Sequence, residues 1–160
     1  MLFAAGCERK EGPSGVVGSQ APDFELRDIS GKSWKLSSMK GKVVLLEFWA
    51  TWCPPCQSAV ADFNRIYERF KGEDFVFLAL SVDEGEDLAG KLKRFGAKEG
   101  ILYPVLPDFK DIAGTYNVIS IPVTYVIDKE GNISYQHMGH MPDMVEIISE
   151  EIEGLLKKDA

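Results

Sequence analysis

The run Val43-Val44-Leu45-Leu46-Glu47-Phe48-Trp49, followed at once by Ala50-Thr51-Trp52-Cys53-Pro54-Pro55-Cys56, constrains this chain more than any other segment. Apart from Glu47 the first seven residues are apolar on both alternating faces. That pattern predicts a central strand covered on each side, as strands of a largely parallel sheet must be. From Cys53 to Phe70 the period changes. Val60, Phe63, Ile66, Tyr67 and Phe70 recur at three and four, which predicts an amphipathic helix. Phe75 to Val82 reads as a second apolar strand. Strand, helix and strand in that order make a right-handed βαβ unit, with Cys53 at the end of the first strand. Two thiols one helical turn apart at such a junction can close into a disulfide and reopen.

The remaining segments extend the same alternation. Ala21 to Leu26 and Ser33 to Leu36 flank the turn residues Asp28 to Lys32 and predict an edge hairpin. Asp83-Glu84-Gly85-Glu86-Asp87 is an acidic turn ahead of a helix that carries Leu88, Leu92 and Phe95 on one face. Acids at a helix start are favoured by its dipole, so solvated capping is expected there in preference to a metal loop. Ile101 to Leu106 predicts a short strand, Asp108 to Tyr116 a short helix, and Val123 to Asp128 with Ile133 to His137 a pair of strands joined by a turn. A last helix bears Met144, Ile147, Ile148, Ile152, Leu155 and Leu156 on one stripe, with Lys157 and Lys158 placed to complement its dipole. The expectation is one α/β domain over residues 21–158, a mixed central sheet with helices on both faces.

Composition narrows the function classes. A net charge of −7 over 160 residues, with no concentrated basic face, argues against nucleic acid as a partner. Three cysteines are too few for a structural disulfide framework, and two of them form the tight pair. The third, Cys7, closes Leu2-Phe3-Ala4-Ala5-Gly6-Cys7, which resembles a bacterial lipobox, where cleavage before the cysteine leaves it as the lipid-bearing residue. The polar stretch Glu8 to Gly15 then suits a flexible tether, so residues 1–20 are expected to be an export-signal remnant and linker. The competing reading of Cys7 is a free thiol on a frayed end.

The residues themselves indicate the chemistry. Cys53 falls at a helix N-terminus, where free N–H groups and the macrodipole favour a thiolate; it is the expected nucleophile. Cys56, one turn further in, is placed to resolve a mixed disulfide at Cys53. Pro54 and Pro55 remove two N–H donors from that turn and must alter thiolate stabilisation. Glu47 shares a strand face with Val43, Leu45 and Trp49, so its carboxyl is expected to be buried, raised in pKa, and able to exchange a proton with Cys56. The competing reading is a carboxylate that reaches water. Half of a zinc site is an alternative for the cysteine pair, but no second Cys pair or Cys/His pair completes a tetrahedral shell. Haem attachment requires histidine after the second cysteine, and Gln57 stands there. Trp52 is a candidate exposed contact residue, with simple packing as the alternative. His137 and His140 read as surface or strand-end positions without obvious partners.

From about Gly18 to Leu156 the chain resembles the TlpA/ResA-like thiol-disulfide oxidoreductases, a thioredoxin-fold group. The resemblance rests on Ala21-Pro22-Asp23-Phe24, Gly41-Lys42-Val43-Val44-Leu45, Phe48 through Cys56, Ile121-Pro122-Val123-Thr124 and Val126-Ile127-Asp128. It implies that Glu84 to about Asn117 contains an inserted helix and strand. It also implies that Ile121-Pro122 is cis and faces the cysteines, against the alternative of a trans edge proline. Substrate contact is then expected from Trp52, Pro54, Pro55, Ile121 and Pro122, with the Ile121 backbone pairing to an extended segment. Thioredoxins carry a buried aspartate where Glu47 stands, which supports its role, and the glutamate some relatives place three residues past the second cysteine is here Ala59. The resemblance further implies an extracytoplasmic reductase, needing no cofactor beyond the Cys53–Cys56 disulfide. It would receive electrons from a membrane thiol-disulfide carrier and pass them to disulfides of exported proteins such as apocytochrome c. The same chemistry run backwards gives an oxidase or isomerase. A peroxiredoxin-type peroxidase is a weaker alternative, because the threonine expected three residues before its reactive cysteine is Ala50. A binding module that has lost the chemistry is weaker still, since both cysteines are present.

Overall fold

The computed structural model describes residues 15–159, so Cys7 and its lipobox-like context lie outside the described residues. In chain order the elements are β1 (Glu25–Arg27), β2 (Ser33–Lys35), a 3-10 turn (Leu36–Met39), β3 (Val43–Trp49), α1 (Pro54–Arg69), β4 (Phe75–Ser81), α2 (Leu88–Glu99), β5 (Val105–Pro107), α3 (Ile112–Thr115), β6 (Val123–Ile127), β7 (Ile133–Met138) and α4 (Met144–Leu156). β1 and β2 form the expected antiparallel hairpin. The other five strands form one sheet in the order β5-β4-β3-β6-β7, with β3 and β5 parallel to β4, and β6 antiparallel to both β3 and β7. This is a thioredoxin-like mixed α/β fold.

β3 is central, and all seven of its residues are buried, as its two-sided apolar pattern requires. Val43, Leu45 and Trp49 pack towards α1, α2 and α4, through Phe63 and Ile66, Leu92, and Ile148 and Ile152 respectively. Burying each such side chain contributes about 1.5–3 kcal/mol. Val44, Leu46 and Phe48 point to the other face, where the hairpin, the 3-10 turn and the short α3 cover them with Phe24, Leu36, Ile112 and Tyr116. The chain is also pinned ahead of the hairpin, because Gly18 N donates to Ile133 O and Ala21 N to Gly131 O.

Several predicted elements are shorter than their patterns indicated. Of Ile101 to Leu106 only the end pairs, since Ile101 N closes α2 by donating to Gly96 O, Leu102 N donates to Asn64 Oδ1, and Pro104 has no donor. The helix expected from Asp108 to Tyr116 is reduced to Ile112–Thr115. Asp108 stays outside it, and its carboxylate accepts from Ile112 N and Ala113 N. On α4, Ile147 is exposed rather than part of the buried stripe. The cation at the end of that helix is Lys129 from the β6–β7 turn, whose Nζ donates to Leu156 O and Lys158 O at 2.8 Å each.

Candidate active site

Cys53 is the N-cap of α1, with extended backbone, and Pro54 and Pro55 occupy the first two helical positions. An N-cap acceptor ordinarily takes the N–H of the second or third helical residue. Proline at the second position deletes the first of these donors. What remains is Cys56 N, 3.3 Å from Cys53 Sγ. The two cysteines are joined as a disulfide, with Cα atoms 5.2 Å apart. Both are buried, Cys56 the more so at 1% exposure against 4% for Cys53. Restoring the deleted donor should therefore shift the redox balance. Pro55→Ala is expected to add about 1 kcal/mol of hydrogen-bond stabilisation to the Cys53 thiolate. That lowers its pKa and raises the reduction potential by about 20 mV, measurable by equilibration in glutathione buffers.

The Ile121–Pro122 peptide bond is cis, and Ile121 O lies 3.9 Å from Cys53 Sγ. The structure thus brings the proline segment against Cys53. Pro122 is buried immediately before β6 and its carbonyl accepts from Gly139 N, whereas Ile121 is half-buried. Trp52 stands 63% exposed beside Cys53, and Pro54 and Pro55 are exposed as well. Ile119, two residues before Ile121, is 91% exposed. An isolated isoleucine in an irregular segment has no periodicity to mark it.

Glu47 is 2% exposed, on the α1 side of β3, across from Ala79 of β4 and Thr124 of β6. Its Oε2 has no hydrogen-bond partner, and burial pushes its carboxyl up to about 8. A carboxyl so raised is ionised only in part until pH passes about 8, and in its ionised form it can take a proton from a thiol. Cys56 belongs to the apolar cluster on the same side of the sheet.

Two expectations need correction. Asp83, first residue of the supposedly solvated acidic turn, has a fully buried side chain that accepts hydrogen bonds from Thr51, Ser81 and Lys91. The N-cap of α2 is Asp87, whose side chain makes no cap bond and pairs with Arg94 instead. The histidines do have partners: His137 Nε2 is 2.8 Å from Glu151 on α4, and His140 Nε2 is 2.8 Å from Asp62 on α1. Among the described residues no group of three or more His, Cys, Asp and Glu could hold a metal ion.

This geometry agrees with comparisons to known proteins. The AhpC/TSA family profile matches residues 17–136. Thiol-disulfide oxidoreductase ResA of Bacillus thuringiensis is 38% identical over 143 residues, covering 89% of this chain and 78% of that one. The crystal structure of a putative thiol:disulfide interchange protein DsbE from Chlorobium tepidum superposes with a TM-score of 0.79 at 31% identity, covering 88% of this chain and 98% of that one. That of the exposed lipoprotein thioredoxin of Streptococcus pneumoniae superposes with a TM-score of 0.67 at 33% identity, covering 84% and 100%.

Proposed function

The chain belongs to the AhpC/TSA family and is a thiol-disulfide oxidoreductase of the ResA and DsbE type, and from that premise we propose that it reduces disulfides of exported proteins outside the cytoplasm. The observation that carries this reading is Cys53 at the N-terminus of α1 with its sulfur 3.9 Å from Ile121 O, beside a cis proline. A sulfur so placed can meet an extended segment that pairs with the Ile121 backbone.

In the reduced protein the Cys53 thiolate attacks one sulfur of the substrate disulfide. The S–S bond breaks, a Cys53–substrate disulfide forms, and the displaced substrate thiolate takes a proton. Cys56 then gives its proton to the ionised form of Glu47 and attacks Cys53 Sγ; the Cys53–substrate bond breaks, Cys53–Cys56 closes, and the second substrate thiolate leaves and takes up the proton that Glu47 gives back. Two electrons have passed to the substrate. A membrane dithiol carrier returns them by the reverse exchange, so no cofactor beyond the cysteine pair is called for. Apocytochrome c, whose haem-binding cysteines must be reduced before attachment, is the substrate class proposed. Trp52, Pro54, Pro55, Ile121 and Pro122 are assigned to substrate contact, their position around Cys53 supporting it. Lipid attachment at Cys7 would hold the domain at the membrane, a reading supported by the pneumococcal neighbour being an exposed lipoprotein.

The test is to mix reduced protein with an oxidised peptide carrying two cysteines separated by two residues and followed at once by a histidine. Accumulation of dithiol peptide is expected. If the oxidised protein instead takes electrons from the dithiol peptide to completion, the protein is an oxidase.

A further inference from the structure

We propose that Thr51, Asp83 and Lys91 form a positioning network that fixes the segment entering Cys53, and that α2, through Lys91, thereby tunes the reactivity of that thiol. The inference deepens the functional reading and rests on Cys53 being the attacking sulfur. An isolated carboxylate as buried as Asp83 would be strongly unfavourable unless paired and hydrogen-bonded. Here it is saturated. Oδ2 accepts from Thr51 N and Ser81 Oγ at 2.8 Å each, while Oδ1 accepts from Thr51 Oγ1 at 2.5 Å and from Lys91 Nζ at 2.6 Å. Burial raises the Asp83 carboxyl, but the bonds from Lys91, Thr51 and Ser81 outweigh it and hold the group below the usual carboxylate range.

Thr51 is in turn held at three atoms, because its carbonyl accepts from Gln57 Nε2 of α1 at 2.7 Å. Two residues later comes Cys53, whose N–H reaches back to Ala50 O at 3.4 Å. The sulfur's place between Cys56 N and Ile121 O is inherited from this anchored segment. Lys91 is the cation that balances the carboxylate, and it comes from the helix inserted between β4 and β5. Without its ammonium, a buried negative charge bonded to Thr51 would disfavour a second negative charge on Cys53.

The test measures iodoacetamide alkylation of the reduced full chain as a function of pH, with the modified cysteine mapped and the thermal midpoint recorded. Lys91→Met is expected to slow alkylation of Cys53 at pH 7 by about threefold or more through a raised thiol pKa, with recovery in Lys91→Arg. Thr51→Val should act in the same direction and Thr51→Ser should restore the wild-type profile, so the inference stays testable if Lys91→Met fails to fold. A lower thermal midpoint with Cys53 reacting at an unchanged rate and pH profile would overturn the inference and leave a purely structural pair. Alkylation landing on Cys56 would overturn the order of the thiols, and the inference with it.

Discussion

Cys56→Ser is expected to stop turnover after one covalent adduct per chain, held at Cys53, while Cys53→Ser forms none. Serine at position 56 cannot act as the second thiolate, so a mixed disulfide formed by Cys53 has no internal route to release. Turnover should fall at least about a thousandfold, the scale seen when an essential nucleophile is removed. The first exchange should survive, because the features that set it are untouched: the Cys56 backbone N–H still reaches Cys53 Sγ, and Ile121 O still lies 3.9 Å from it. A buried hydroxyl at the site of a 1% exposed sulfur costs about 1–3 kcal/mol if it finds no partner, so the variant's melting should be recorded alongside. The adduct is read by non-reducing electrophoresis and mass mapping. An adduct in Cys53→Ser but not in Cys56→Ser would reverse the order of the thiols.

Glu47 should produce the second largest effect, and it appears in both kinetics and stability. Its carboxyl is ordinary in the unfolded chain, near 4.5, and pushed up to about 8 in the folded one by burial. The stability linked to it is fully present below the unfolded value, where both states hold the proton. It is lost as pH rises towards 8, because the unfolded chain ionises and the folded one does not. Over that interval the loss is about 5 kcal/mol, a large share of the 5–15 kcal/mol typical of a domain. Urea unfolding at pH 5 and pH 8 should show about 3.5 kcal/mol of this fall in wild type and a much flatter profile in Glu47→Leu. The same variant should resolve mixed disulfides about a hundredfold or more slowly near neutral pH, as expected for a lost general base. A wild-type stability that does not decline across this window would mean Glu47 ionises freely, and its role in deprotonating Cys56 would fall with it.

The legible parts of this molecule were those written locally. β3 and α1 follow from periodicity, and the alternation along β3 places Glu47 on the α1 face without further information. Cis geometry at Pro122 is not encoded in nearby composition, and only the family resemblance pointed to it. Asp83 read as a solvated acid because its neighbours are acidic; its burial depends on the adjacency of β4 to β3, which brings Thr51 to it from 32 positions away. The pairing of His140 with Asp62 spans 78 positions and left no local trace. Around β5 and α3, apolar content extends beyond the regular structure, because Pro104 lacks a donor and Asp108 and the N-cap Asp111 hold the first N–H groups of α3.

Direction of electron flow separates a reductase from an oxidase built on the same cysteine pair, and the reduction potential of the Cys53–Cys56 couple measures it. Equilibration of the full chain against a dithiol buffer, read by thiol trapping, should give a strongly negative potential, towards the thioredoxin value of about −270 mV. A potential near the oxidising value of about −120 mV would contradict the assignment.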